Sequence, residues 1–274
     1  MSVAEAIRAA TAKLEATSDT ARLDAELLMA HALGVSRSEM LLRHMRDNAP
    51  EPYDGLVKRR ASHEPVAYIT GTQEFYGRSL AVTPDTLIPR GDTETLIDVT
   101  LEMAPNAKRV LDLGTGSGAL IVTALLELEG ASGVAIDCSV AALNVAEANA
   151  RTFGIDGQEA QFCLGDWTKP DWSEGLGTFD LILSNPPYVE DDAKLEQDVG
   201  AFEPTDALFA GPEGLDDYRI IIPQLRGLMT HDAVAIFEIG HTQAPAVTQI
   251  AQDHGFVVTT RKDLAQRPRA LVLR

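Results

Sequence analysis

The chain has 274 residues and carries 41 Asp and Glu against 23 Lys and Arg, a formal net charge of −18, which excludes a sequence-independent grip on nucleic acid phosphates and points to small molecules or a basic protein partner. Its 45% hydrophobic and 23% charged residues are those of a globular chain long enough to bury a core without disulfide or metal staples. Two cysteines, Cys138 and Cys163, an N-terminus without a signal-peptide core and no apolar run near about 18 residues give the expectation of a cytoplasmic protein with no membrane span.

In chain order the pattern is first helical. Val3, Ala6, Ile7, Ala10 and Leu14 share one face of a first helix. A second runs from about Thr20 to Leu33, with Gly34 as its C-terminal cap. Ser36 and Glu39 have the S-x-x-E spacing of a capping box, which predicts a third helix through Met40, Leu41 and Leu42. Pro50 and Pro52 punctuate, and a fourth helix follows to about Ser62. The runs 74–76 and 80–82, joined through Gly77 and Arg78, predict a small hairpin.

From residue 108 strand and helix patterns alternate. Strands are expected at 109–113, 133–137, 160–164, 179–184, 233–238, 256–260 and 270–273, and helices at 118–128, 140–152, 216–228 and 243–253. That alternation predicts an α/β fold with a seven-stranded, mostly parallel, doubly wound sheet, whose ligand lies beyond the carboxyl ends of the strands. Charge divides at the same place: residues 1–83 carry 10 basic and 11 acidic side chains, residues 84–274 carry 13 and 30. The expected organisation is a helical domain (1–73), a hairpin linker (74–83) and a catalytic domain (84–274).

Three strand ends carry candidate chemistry. After the first strand, Asp112-Leu113-Gly114-Thr115-Gly116-Ser117-Gly118 opens a helix, where glycines permit a tight turn and close backbone approach, and a helix N-terminus offers free N–H groups. Asp137, ending the second strand, fits a ribose-binding carboxylate. Together they indicate an adenosine-containing cofactor without saying which. Asp166 and Trp167 follow the third strand, where a carboxylate beside an indole can bracket an adenine.

The fourth strand ends in Ser184-Asn185-Pro186-Pro187-Tyr188. Two prolines stop the strand, so the Asn185 side-chain oxygen and the Pro186 carbonyl are free to accept from a ligand. An amide or exocyclic NH2 is a poor nucleophile because its lone pair is delocalised. Two acceptors gripping its N–H bonds would draw the nitrogen toward pyramidal geometry and aim the lone pair at an electrophilic methyl, with Tyr188 as a flat wall. The six histidines show no metal-ligand spacing, and no metal is expected. Lys58-Arg59-Arg60 reads as a solvated helix face, and Glu64, Glu74 and Glu94 as salt-bridge partners.

The glycine loop followed by Asn185-Pro186-Pro187-Tyr188 resembles class I S-adenosylmethionine-dependent amino-methyltransferases, and most closely the protein-(glutamine-N5) methyltransferases that modify peptide chain release factors (the HemK/PrmC family). The likeness covers nearly the whole chain: residues 22–28 resemble the helical N-terminal domain, 64–71 and 74–77 the linker, and 87–96 the start of the catalytic domain. Glu203-Pro204, the run 207–211, Gly214-Leu215 and Phe237-Glu238-Ile239-Gly240 match as well.

The resemblance implies a class I methyltransferase fold with a small helical domain. It implies S-adenosylmethionine bound by Gly114, Thr115, Gly116, Ser117, Gly118, Asp137, Asp166, Trp167 and Asn185, with Asn185, Pro186, Pro187 and Tyr188 holding the substrate amide, of which Asn185, Pro186 and Tyr188 are the catalytic set. The implied substrate is the glutamine of the Gly-Gly-Gln loop of class 1 release factors, met by a monomer without direct contact to nucleic acid or membrane. Gly91 stands where the family usually has a second proline, and Gln266 where a glycine commonly precedes Arg267. Alternatives are a glutamine methyltransferase of a large-subunit ribosomal protein, an N6-adenine methyltransferase (which the missing basic groove opposes), a nicotinamide-dependent dehydrogenase (which gives N-P-P-Y no role) and a non-catalytic binding module.

Overall fold

Ser2 and Glu5 start the first helix, α1 (Val3–Leu14), with a reciprocal capping box: Glu5 N–H donates to Ser2 Oγ at 3.3 Å and Ser2 N–H to the Glu5 carboxylate at 2.9 Å. Val3, Ala6, Ile7, Ala10 and Leu14 are its buried face. α2 (Ala21–Leu33) ends at Gly34, whose φ of +69° is the left-handed cap that glycine adopts freely.

The box expected at Ser36 forms only by half. Ser36 Oγ accepts from Glu39 N–H at 3.1 Å, but the Glu39 carboxylate turns to Arg43 at 3.4 Å instead of reaching back. The helix α3 (Arg37–Glu39) passes at once into a π-helical turn, Met40–His44. α4 (Tyr53–Ala61) follows Pro52, and α5 (Val66–Thr70), not foreseen from the sequence, follows Pro65. These helices enclose a core that includes Ile7, Leu28, Met29, Met40, Tyr53 and Ile69.

The computed structural model describes residues 1–274, which separate into Met1–Thr72 with Leu195–Phe202, and Gln73–Lys194 with Glu203–Arg274. Two differences from the expected boundaries stand out. The hairpin 74–83 falls in the second unit, and the segment 195–202 falls in the first. Arg60 is the physical reason for the latter: its guanidinium, almost fully buried, pairs with Asp24 at 2.7 Å and Asp198 at 3.6 Å.

Next in chain order, β1 (Thr72–Phe75) and β2 (Arg78–Ala81) are joined by Tyr76 and Gly77, both at positive φ (+50° and +71°), as a type I′ turn requires. α6 (Glu94–Met103) leads to the main sheet: β3 (Arg109–Leu113), α7 (Ala119–Glu127), β4 (Ser132–Asp137), α8 (Val140–Thr152), β5 (Ala160–Leu164) and β6 (Phe179–Ser184). After α9 (Gln197–Phe202) and α10 (Asp216–Ile221) come β7 (Met229–Glu238), α11 (Ala244–Asp253), β8 (Val258–Lys262) and β9 (Pro268–Leu273). The order is β5-β4-β3-β6-β7-β9-β8, parallel as far as β7, with β9 alone reversed and so antiparallel to both β7 and β8.

Alternate strand residues feed two cores. Val110, Ala135 and Leu183 pack beneath α6 and α7; Leu111, Ile136 and Ile182 pack with Tyr218, Ile221 and Val247 of α10 and α11. The single helix expected over 216–228 breaks, because Pro223 lacks an N–H and Ile222–Gly227 tightens into a 3-10 turn. β3 lies between β4 and β6, so the chain leaves it in both directions. That is the switch point at which such sheets bind ligands.

Candidate active site

Register brings three chain segments to the switch point. Leu113 lies opposite Ile136 on one side and Ser184 on the other, and Ser184 Oγ donates to the Leu113 carbonyl at 2.8 Å, pinning the ends of β3 and β6 together. Gly114, Gly116 and Gly118 all sit at positive φ, +76°, +54° and +81°. A side chain at Gly114 would come within 3.2 Å of the Trp167 ring, and one at Gly118 within 3.1 Å of Ala146 on α8. The loop is tied to β4, since Gly114 and Thr115 N–H donate to the Ile136 carbonyl at 2.9 and 3.0 Å.

Two carboxylates frame this loop. Asp137 accepts from Gly116 N–H and Ser139 N–H, each at 2.9 Å; burial raises its pKa, and those N–H donors restrain the rise. Asp112 is fully buried beneath the loop and takes one hydrogen bond, from Thr115 Oγ1 at 2.7 Å. Burial pushes Asp112 up to about 7, against the pull of Thr115.

A cavity of about 370 Å³ opens over these strand ends. Gly114, Thr115, Gly116, Ser117, Asp137, Trp167, Asn185 and Pro187 line it. The Asn185 side chain reaches this wall with no hydrogen-bond partner in the protein. Four of the residues singled out from the sequence lie elsewhere. Gly118 caps α7 behind the loop. Pro186 is buried. Tyr188 turns its hydroxyl inward, donating to Glu238 Oε1 at 3.1 Å, while its carbonyl accepts from Gln243 Nε2 at 3.0 Å. Asp166 is occupied locally: Thr168, two residues on, offers its N–H at 2.9 Å and its hydroxyl at 2.6 Å, and these donors lower the carboxyl pKa. The acid that steers the indole is instead Asp217, which accepts from Trp167 Nε1 at 2.6 Å.

Part of the lining went unforeseen as site. Pro84, Asp85, Thr86, Leu87, Pro89 and Thr93 form one strip, and Pro204, Asp206 and Ala207 another. Glu203, 5% exposed, joins them: it accepts from Ile88 N–H at 3.1 Å and pairs with Arg90. The sequence signal for this pairing was only that both segments resemble the same family. No group of three or more His, Cys, Asp or Glu side chains is arranged to hold a metal ion, and no helix is long and apolar enough to cross a membrane.

Residues 5–71 match the family model of the PrmC N-terminal domain, and residues 105–210 that of a methyltransferase domain. The release factor glutamine methyltransferase of Rhodospirillum rubrum is 40% identical over 260 residues, covering 92% of this chain and 78% of that one. The chain belongs to the release factor glutamine methyltransferase family. The Cereibacter sphaeroides member is 38% identical over 282 residues, covering 100% and 99% of the two chains.

For the fold alone, the hMettl16 catalytic domain, crystallised with a MAT2A 3′UTR hairpin, superposes with a TM-score of 0.57 at 14% identity, over 85% and 84% of the two chains. Gln266, at which the resemblance leads one to expect glycine, sits at φ +63°, the backbone region that glycine enters without strain.

Proposed function

We propose that this protein transfers a methyl group from S-adenosylmethionine to the side-chain amide nitrogen, N5, of the glutamine in the Gly-Gly-Gln loop of class 1 peptide chain release factors. The observation that carries the reading is the placement of Asn185. Its amide, without a partner in the protein, faces the cavity that the glycine loop and Asp137 also line. A half-buried amide on a cavity wall, not committed to a partner in the protein, is free to accept from a ligand.

The lining fits the cofactor on three counts. The Gly114–Ser117 turn lets backbone come close to it, the Asp137 carboxylate retains acceptor capacity for ribose hydroxyls, and the Trp167 face offers a surface for adenine. S-adenosylmethionine supplies an electrophilic methyl on a sulfonium.

The chain's own task is to present the amide. Asn185 Oδ1 accepts one N–H of the substrate amide and the Pro186 carbonyl the other. Pro186 and Pro187 have no N–H, so no backbone donor competes for the substrate carbonyl at these positions. Held by two acceptors, the nitrogen turns its lone pair from the carbonyl toward the methyl, and such positioning supplies much of a displacement barrier. As the N–CH3 bond forms, the S–CH3 electron pair would stay on the sulfur of the leaving thioether; the N-protonated amide cation so formed is a strong acid and loses a proton to water, so no general base is needed.

The test is incubation with labelled S-adenosylmethionine and, in separate reactions, release factors, ribosomal proteins and DNA. Label on the release factor glutamine, mapped by peptide mass, is the expected result. Label on ribosomal protein or nucleic acid in its place contradicts the substrate assignment.

A further inference from the structure

Glu238 ends β7 with 1% of its surface exposed, and its carboxylate is poorly satisfied for so buried a group. Oε1 accepts the Tyr188 hydroxyl at 3.1 Å, whereas Oε2 has no hydrogen-bond partner. The Arg269 guanidinium approaches Oε1 only to 3.9 Å and spends its hydrogen bonds elsewhere, on Asp92 at 2.7 Å and the Ile239 carbonyl at 3.3 Å. Thr93, on the cavity wall, faces the same carboxylate without completing a hydrogen bond. Burial raises the Glu238 pKa, against the pull of Thr93 and Arg269.

An apolar pair at 188 and 238 would avoid this desolvation cost, since replacing buried charges by well-packed apolar groups is often neutral or stabilising. What the carboxylate adds is direction. Tyr188 is held at both ends, its carbonyl by Gln243 and its hydroxyl by Glu238, immediately after the two prolines of the amide-gripping element.

We infer that Glu238 is a positioning residue for methyl transfer, anchoring through the Tyr188 hydroxyl the end of the Asn185–Tyr188 element that presents the acceptor amide. This rests on the reading of Asn185–Tyr188 as the amide site. Gln243 anchors the same element on the backbone side, and a side chain at Gly214 would overlap the Tyr188 carbonyl, so the element has little freedom beyond the ring itself.

The experiment compares Tyr188→Phe, Glu238→Ala, Glu238→Gln and the Tyr188→Phe/Glu238→Ala double variant with the native protein. It reads kcat and KM on release factor and S-adenosylmethionine affinity by calorimetry. Tyr188→Phe and Glu238→Ala should each lower kcat about tenfold or more, with cofactor affinity within about twofold of native. The double variant should fall no further than either single one. Glu238→Gln keeps an acceptor for the hydroxyl and should recover most of the rate.

Native-like kcat in Tyr188→Phe overturns the inference even where Glu238→Ala does not fold. So does an additive double variant, or a Glu238→Gln that melts like native and is as slow as Glu238→Ala. Absence of label with the native protein overturns the functional reading and this inference together, whereas native labelling with a full-rate Tyr188→Phe overturns this inference alone.

Discussion

Two parts of the cavity lining are built by opposite means. The strand-end part, Gly114–Ser117 with Asp137 and Asn185, is held by backbone geometry: Gly114 and Gly116 at positive φ, parallel register, and backbone N–H groups donating to Asp137. The strips Pro84–Leu87 and Pro204–Ala207 contain neither strand nor long helix, and one buried carboxylate, Glu203, ties them across more than a hundred residues of sequence. Local geometry makes a site that tolerates little change in any one turn. A long-range tie makes one that depends on a single side chain.

The largest expected effect falls under the strand-end part and depends on pH. Asp112 has its pKa raised by burial from 3.8 to about 7, so the fold favours its protonated form. That contribution to stability is full below about pH 4 and is lost as pH rises through 7, by up to about 4 kcal/mol. Asp137, Asp217 and Glu238 shift in the same direction and Glu26, Asp54, Asp166 and Asp263 in the opposite one, so the Asp112 contribution is read as a difference: relative to Asp112→Asn, the native protein should lose stability, measured as melting temperature, as pH rises from acid to neutral. A slope equal to native in Asp112→Asn would contradict the assignment.

Next, Glu203→Ala leaves the Ile88 N–H and the Arg90 guanidinium without their acceptor. Denaturant unfolding should show a loss of about 2–3 kcal/mol. Substrate KM should rise more than cofactor affinity falls; equal losses would mean that the two parts of the lining are not separately held.

Asp137→Ala is the converse, a local change at the strand-end part. It should weaken S-adenosylmethionine about tenfold by calorimetry, one charge-assisted hydrogen bond's worth. Smallest is Gln266→Gly, which relieves a left-handed residue. A gain of about 0.5 kcal/mol in unfolding free energy is expected, with activity unchanged.

The same contrast governs what could be read in advance. β3, β5 and β6 fall where expected; β3 and β6, inside the sheet, are covered on both faces and read as near-continuous buried runs, whereas β5, at the sheet edge, is half exposed and was legible only from its Ala160, Phe162 and Leu164 alternation. β7 begins four residues before its apolar run, since Met229–Asp232 are not buried and carry no pattern. α6 has a buried face, Leu96, Ile97, Val99 and Thr100, but no side-chain cap to announce it, and α9 buries nothing at all. The glycine loop, Asp137 and Asn185 were legible because a turn and a strand end are local facts. Asp217, Glu238 and Gln243 reach Trp167 and Tyr188 from at least fifty residues away, and no spacing rule points to them.

The acidic excess shows both kinds of part. Of the ten acidic residues between Glu190 and Asp217, Glu203, Asp198, Glu213, Asp216 and Asp217 are committed to Arg90, Arg60, Arg219 and Trp167. Glu190, Asp191, Asp192 and Glu196 are exposed, and Asp206 lines the cavity. These five, not the whole run, are the acidic side chains outside those pairings.

The central claim is that Asn185 holds the acceptor amide, and Asn185→Ala tests it most directly. The rate of methyl transfer to release factor, measured at saturating S-adenosylmethionine, should fall by about 10²–10³, while calorimetry shows cofactor affinity close to native. Turnover within about tenfold of native, in a folded variant, would contradict the two-acceptor account.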